Sequence, residues 1–463
     1  MLKFLIKLIK LNCFQWEVEM KKFLAVATSL LLVFTTVACD TNDGNTDKDP
    51  SEDQNIEETD DISGDITFLT HRTDLDTNGR YDELIAQFQE TYPDVNVEVQ
   101  AITDYADELA VRTQTEEYGD VLMIPDAIPA EEFHNYLEPF GTIDDLSDKY
   151  TEDYLYVKWF DDLVYGLPSR INVSGIVYNI PVWEEAGIEE LPASPEEFLD
   201  DLRLIQENTD AIPYYTNANS GWTLDQWEEH TGGSITGDPD YRNNILPHDK
   251  EAFAETGSHY VVSKLLYDIV DQGLSEEDPS TGDWERSKVM LNEGEIGSML
   301  LGSWALDQIK EAGPNPDDVG YMPFPYNIDG ERYASSGPDY AYGVNVHSEN
   351  KDAAKAFVKF MIEESNLAVD EGGISIVKAD PLPSGLENYE DVTLVVDKPA
   401  TEENIGLLDD VQYESGITLY DNGSRMGGVV DIARGASSQT FEEYMQELTD
   451  NWAGAVEKVE AEQ

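Results

Sequence analysis

Apolar positions along the chain switch regularly between strand and helix spacing from residue 66 onward. The pattern predicts strand, helix, strand, helix and strand in turn. These elements are Ile66–Leu69, a helix through Tyr81 and Phe88, a strand over Val95–Val99, a helix through Leu109, and Asp120–Ile124. Such an alternation folds as a parallel sheet with right-handed crossovers, so we predict an α/β unit.

A second α/β unit follows after Tyr165. Ser194-Pro195-Glu196-Glu197 has the Ser cap, early Pro and third-position Glu that begin a helix. The predicted elements are the strand Gly175–Tyr178, the helix Pro181–Ala186, the Ser194 helix, the strand Ile212–Thr216 and the helix Tyr260–Val270. Two α/β units joined by extended chain predict a two-lobed body with the ligand cleft between the lobes.

The stretch Asp283–Pro325 combines these signals most densely. It predicts a helix, a short apolar strand Gly297–Leu301, a Gly-Ser-Trp corner, a helix Ala305–Ala312 and another strand. Trp304 stands where the strand ends and the helix starts, a place where open α/β sheets bind ligands. An indole ring there can lie against the C–H face of a sugar.

Composition excludes several classes of function. Lys and Arg total 28 against 96 Asp and Glu, a net charge of -68, which repels nucleic acid. Cys13 and Cys39 are the only cysteines, so the folded body carries no thiol nucleophile, disulfide or zinc thiolate site.

The N-terminal residues 1–39 form a predicted signal region. Met20–Lys22, the apolar run Phe23–Ala38 and Cys39 have the parts of a secretory signal, and the run is shorter than the roughly 18 residues of a membrane span. Thr36–Cys39 resembles a lipobox, so Cys39 is the predicted lipidation site. Met20 is interpreted as the true start. A plain secretory signal and an uncleaved anchor are the alternatives.

Several stretches together resemble family 1 extracellular solute-binding proteins of ABC importers, the class that includes maltodextrin-binding proteins. They are Asp283–Pro325 with its GSW corner, Gly119–Pro125, Tyr165–Ile188 and Phe441–Val456. The resemblance implies a type II periplasmic-binding-protein fold with discontinuous lobes, an interlobe cleft and a hinge. It also implies capture of a carbohydrate, an oligosaccharide by preference, and its delivery to a membrane permease.

The resemblance also implies domain boundaries. The N-lobe is expected at 65–169 and 338–372, and the C-lobe at 170–337 and 373–463. Residues 40–64, acidic and poor in large apolar residues, are expected to form a disordered tether to a lipid anchor on the extracellular face of the membrane. We expect a monomer without a cofactor.

Aromatic faces and planar polar side chains are the groups that bind sugars. By position after strands or in the expected crossings, the candidate ligand-binding residues are Arg72, Asp120, Asp126, Arg170, Asn172, Trp222, Trp304, Asp339, Tyr342 and Arg425. The competing interpretation is a core position for the two tryptophans, a turn for Asp120, an ion pair for Arg72, and a structural role in the hinge for Arg170 and Asn172.

Two further patterns leave alternatives open. Asp74, Asp76 and Asn78 match the first half of a calcium loop, but Ile85 occupies the position of the final Glu, so calcium is a weak alternative to no metal site. Catalytic motifs of hydrolases and nucleotide-binding loops are absent from the sequence. A glycan-active enzyme with a hidden carboxylate pair, and a binder of a non-sugar polar solute, are the alternatives to sugar binding.

Overall fold

The computed structural model describes residues 62–103, 105–125 and 128–462, so the predicted signal region, Cys39 and most of the tether lie outside it. Its strands are β1 Gly64–Thr70, β2 Val95–Ala101, β3 Val121–Ile124, β4 Leu137–Glu138, β5 Gly141–Thr142, β6 Trp159–Phe160, β7 Leu163–Val164, β8 Leu167–Pro168, β9 Ile171–Asn179, β10 Ser298–Gly302, β11 Val319–Pro323, β12 Arg332–Pro338, β13 Ala341–Asn345 and β14 Val392–Val396.

The helices alternate with these strands. They are α1 Thr73–Thr77, α2 Arg80–Thr91, α3 Tyr105–Arg112, α4 Phe133–Tyr136, α5 Ile143–Leu146, α6 Glu152–Leu155, α7 Ile180–Ala186, α8 Pro195–Asn208, α9 Trp222–Asp225, α10 Gly233–Thr236, α11 Ser258–Asp271, α12 Trp284–Asn292, α13 Ala305–Glu311, α14 Lys351–Glu363, α15 Leu367–Asp370, α16 Leu407–Ser415, α17 Ser424–Ala433 and α18 Phe441–Glu462. Among the helices described, none is both long and apolar enough to cross a membrane.

The first sheet has the strand order β2-β1-β3-β13-β4, with β8 beside β13. β1 pairs in parallel with β2 and β3, as the alternating pattern predicted, whereas β13 runs antiparallel to β3. Its core includes a cluster of phenyl rings: the ring centroids of Phe88 and Phe357 are 5.3 Å apart, and those of Phe68 and Phe357 are 5.6 Å apart. Since Phe357 belongs to α14, a helix late in the chain completes the first lobe.

The second sheet has the order β10-β9-β12-β14, with β11 beside β9. β9 runs antiparallel to β10, β11 and β12. The predicted strand Ile212–Thr216 is wrong as a regular strand: it makes only the single bridges Ile212–Ile296 and Tyr214–Ser275. Pro213 lies between these two bridges and has no N–H to donate to a ladder.

Three crossings join the two sheets side by side. The Asp339 amide donates to the Arg170 carbonyl at 3.0 Å, and the Ser169 amide donates to the Tyr340 carbonyl at 2.9 Å. The Ile171 amide donates to the Ile374 carbonyl at 2.8 Å, so the third crossing lies against the first. The two-lobed α/β class is confirmed, while the lobe boundaries given above stay a prediction.

Candidate functional site

Three indole rings form the tryptophan wall, which consists of Trp222, Trp284 and Trp304. The ring centroids of Trp222 lie 5.2 Å from Trp284 and 5.7 Å from Trp304, and those of Trp284 and Trp304 are 6.1 Å apart. All three residues are half-buried. An aromatic surface of this size that is only partly covered can stack on the apolar face of a sugar.

The corner that follows β10 places Trp304. The Ser303 amide donates to the Val173 carbonyl at 2.8 Å, and the Val173 amide donates to Ser303 Oγ at 3.1 Å. A Cβ added at Gly302 would lie 2.4 Å from Trp304 Nε1, so only glycine lets the indole fold back over the end of the strand. The backbone contacts of Ser303 and the close approach of the indole to Gly302 therefore explain why Gly and Ser precede Trp304 in the GSW motif.

The other two rings also stand at helix starts. Trp222 opens α9, and Trp284 opens α12 after Asp283, whose carboxylate accepts a hydrogen bond from the Arg286 amide at 2.8 Å. Trp284 was not among the predicted residues, because the Asp283 cap before it predicts where a helix begins but not where the ring lies. The side-chain cap fixes where α12 begins.

Two buried carbonyl oxygens beside the wall have no hydrogen-bond partner within the described part of the chain. They are Oδ1 of Asn172, on β9 opposite Gly337, and Oδ1 of Asn217, whose Nδ2 lies 3.2 Å from Met299 Sδ. A buried acceptor without a donor costs free energy, which a ligand hydroxyl can recover. Asn172 was predicted for the site, and Asn217 was not.

Three of the predicted charged residues, Arg72, Arg170 and Asp339, meet Glu371, which was not predicted, and together these four form the crossing network. Arg72 Nη2 lies 2.5 Å from Glu371, and it also pairs with Asp74. Arg170 donates to Asp339 at 2.8 Å and to the Glu371 carbonyl at 3.1 Å. The structure thus brings these residues together, but their charges already pair with each other.

His71 lies beside this network and was not among the predicted residues. Its ring stacks on Tyr340 with centroids 4.3 Å apart, and its Nδ1 is buried without a partner in the described range. Burial lowers the pKa of His71, which favours the neutral imidazole. A neutral ring with a free nitrogen can exchange a hydrogen bond with a hydroxyl group. Its position in the sequence could have indicated a site residue, because His71 directly follows β1.

Three other predicted residues lie in structural positions. The Asp120 carboxylate, at the start of β3, accepts hydrogen bonds from the Thr67 amide at 2.8 Å and from Ser348 Oγ. Tyr342 is buried in the first core, where burial raises its pKa well above its usual value. Arg425 is buried against Glu228. Asp126 lies outside the described residues.

Asp74 and Asp76, the first two residues of the calcium-loop pattern, lie in a helix. Thr73–Thr77 is α1, the Asp74 carboxylate pairs with Arg72, and Asn78 Oδ1 accepts a hydrogen bond from the Arg80 amide at 3.0 Å. Among the residues described, no group of three or more His, Cys, Asp or Glu side chains is arranged to hold a metal ion.

Comparisons with known proteins agree with this geometry. Residues 76–368 match the family described as bacterial extracellular solute-binding protein. A binding protein of an ABC transporter from Bifidobacterium animalis subsp. lactis, solved with mannobiose, is 40% identical, with a TM-score of 0.75 over 87% of this chain and 96% of that chain. A multiple sugar-binding protein of Streptococcus mutans is 23% identical over 64% of this chain and 70% of its own length.

Proposed function

Because the chain belongs to the bacterial extracellular solute-binding protein family, we propose that it captures a short manno-oligosaccharide for a membrane permease of the ABC type. The tryptophan wall carries the proposal, since three half-buried indole rings in mutual contact offer the aromatic surface on which the C–H face of a sugar stacks. The choice of mannose rests on relatives at 40% identity that were solved with mannobiose and mannotriose.

The site acts by binding rather than by bond cleavage. A sugar stacked on the wall would offer hydroxyl groups to the unpartnered oxygens of Asn172 and Asn217 from one lobe and to His71 from the other. Contacts from both lobes favour the closed state by their differential free energy. We propose that the permease recognises this closed state.

Calorimetric titration with mannobiose and mannotriose tests the proposal. We expect a micromolar or tighter Kd for at least one of them, and weaker binding of maltotriose and raffinose. The recovered sugar should be intact, which chromatography of the incubated mixture measures. Binding of maltotriose or raffinose alone would refute the mannose assignment, and release of mannose would indicate a glycan-active enzyme instead.

The anchor is a second part of the proposal. Export followed by lipidation of Cys39 would hold a monomeric binding protein at the outer face of the membrane, with residues 40–64 as the tether. Mass spectrometry of the membrane fraction should find a lipidated Cys39 as the first residue. The Cys39→Ala variant should be released into the medium or retain its signal, and a variant that remains lipidated elsewhere would contradict the proposal.

A further inference from the structure

A cavity of about 330 Å³ is lined by residues other than the three tryptophans of the wall. We call it the Trp159 cavity. Ser174 of β9, Ser335–Pro338 of β12 and Val395–Asp397 line it from the second sheet. In the order β10-β9-β12-β14, the wall follows β10 at one edge, whereas the cavity lies over β12 and β14. The cavity contains none of the wall or crossing-network residues.

Both lobes build this cavity. Ala130, Tyr156 and Trp159 come from the chain before the first crossing, whereas Glu229 and Arg242 come from the chain after it. A molecule inside therefore contacts groups that move relative to one another when the hinge opens. The volume falls near the lower end of the range for ligand sites, about 300–1,000 Å³, and suits one sugar ring rather than an oligosaccharide.

The polar lining is held in position by its neighbours. Arg242 donates to Tyr420 Oη at 2.6 Å and stacks on that ring at 4.6 Å. Its Nε lies 3.9 Å from the Asp397 carboxylate, an ion-pair distance that is too long for a direct hydrogen bond. Burial raises the pKa of both Asp397 and Glu229. These planar groups can each pair with hydroxyl groups of a ligand.

The opposite side of the cavity is aromatic. The rings of Tyr156 and Trp159 meet edge to face with centroids 5.8 Å apart, and Trp159 is half-buried. An aromatic face opposite planar polar side chains and serine hydroxyls is the combination that binds a molecule with C–H and O–H surfaces. We propose that the Trp159 cavity is a second binding site, for a small polyhydroxylated molecule of monosaccharide size, whose occupancy is linked to lobe closure.

Fluorine NMR of the full chain labelled with 5-fluorotryptophan tests this site separately from the wall. Trp159→Phe assigns the resonance of the cavity, and Trp304→Phe assigns one of the wall. With the wall saturated by mannobiose, D-mannose should shift the Trp159 resonance in a saturable manner. Glucose and glycerol are the companion probes. If mannobiose moves no wall resonance, the proposed function fails, while the cavity can still be tested with D-mannose.

Matched variants show whether the shift comes from the cavity. Asp397→Ala should raise the half-saturation concentration for the probe about tenfold, because it removes a charge-assisted acceptor. Asp391→Ala is the control, because Asp391 is exposed and lies just before β14, whereas Asp397 lies just after it. A Trp159 resonance unmoved by all three probes would overturn the site, as would an equal effect of the two variants.

The link to closure has its own readout. Because linkage is reciprocal, a saturated cavity should change the Kd for mannobiose about fivefold or more. Calorimetry with and without the bound probe measures this change, and Asp397→Ala should abolish it. An unchanged Kd would overturn the linkage.

Discussion

The tryptophan wall and the crossing network lie near the same junction of the two sheets, but their groups are satisfied differently. Each ring of the wall is half-buried and contacts the other two, which leaves part of the aromatic surface accessible. Arg170 and Asp339, in contrast, form an ion pair in which Nε and Nη2 of Arg170 both lie 2.8 Å from Oδ2 of Asp339. Residue types that bind sugar hydroxyls are also those that form ion pairs, so charge near a cleft is weaker evidence of a ligand contact than a partly exposed indole.

The largest expected effect concerns the most deeply buried charge of the predicted set. Arg425 pairs with Glu228, which also accepts from His259 at 2.8 Å. Burial favours the neutral acid, yet His259 and Arg425 outweigh it and lower the pKa of Glu228 to about 2. Arg425→Ala should lower the free energy of unfolding by about 3–5 kcal/mol, because it leaves a buried charge uncompensated. Urea titration measures this loss.

The double variant with Glu228→Gln is the control for this pair. It should lose less stability than the sum of the two single variants, since each already breaks the same interaction. The sugar affinity of the folded Arg425→Ala protein should stay close to that of the wild type. A large loss of affinity without a loss of stability would place Arg425 with the wall and remove the contrast between the two regions.

The wall itself is tested by Trp304→Ala. Removing this ring should weaken sugar binding by about 1–3 kcal/mol, because the stacking surface is lost. Calorimetry with the sugar that binds best measures the change. Trp452→Phe is the matched control, since Trp452 is fully buried and donates to the Asp249 carbonyl at 3.0 Å. That variant should lose stability and keep its affinity, and the reverse pattern would make Trp304 a core residue.

Low pH should destabilise the protein through His230, which belongs neither to the tryptophan wall nor to the crossing network. This residue is fully buried, stacks on Phe324 with centroids 4.4 Å apart, and burial lowers its pKa to about 3. Its folded pKa lies below the unfolded value of about 6.5, so only the unfolded chain takes up the proton between these values. Stability should therefore fall with decreasing pH, by up to about 1.4 kcal/mol per unit.

His230→Phe is expected to flatten this dependence between about pH 4.5 and 6.5, a window above the range in which Glu228 loses its contribution. The variant keeps an aromatic ring against Phe324, and Ser234 Oγ keeps its hydrogen bond from the Ser335 amide at 3.1 Å. Unfolding titrations at several pH values measure the slopes. Equal slopes in both proteins would show that His230 is not the titrating group. The variant and the wild type should bind sugar equally well at each pH, because His230 belongs neither to the wall nor to the crossing network.

Local sequence patterns were enough to predict most of the helices and strands, and two of the three residues of the wall, Trp222 and Trp304. The Ser194 cap is confirmed, since Ser194 Oγ accepts from the Glu197 amide at 3.2 Å, and Trp304 lies at the predicted corner. The partner of Arg425 is 197 residues away in sequence, a separation that no local pattern spans. Trp284 was missed because a capped helix start looks the same whether its aromatic residue enters a core or a cleft.

The smallest effect on binding is expected in the crossing network. Asp339→Asn keeps the acceptor for the Tyr340 amide, which donates to Oδ1 at 2.9 Å, but removes the charge that faces Arg170. Asp339 is mostly buried, and Arg170 lowers its pKa against the opposing effect of burial, so the change should cost about 1 kcal/mol of stability. The Kd for sugar should shift by about twofold at most, because the pair holds the crossings and leaves its donors no room for a ligand. Calorimetry of Asp339→Asn and Trp304→Ala in the same buffer measures the two affinities. An affinity loss as large as that of Trp304→Ala would mean that the network contacts sugar directly, and that the charged residues predicted from the sequence share the role of the wall.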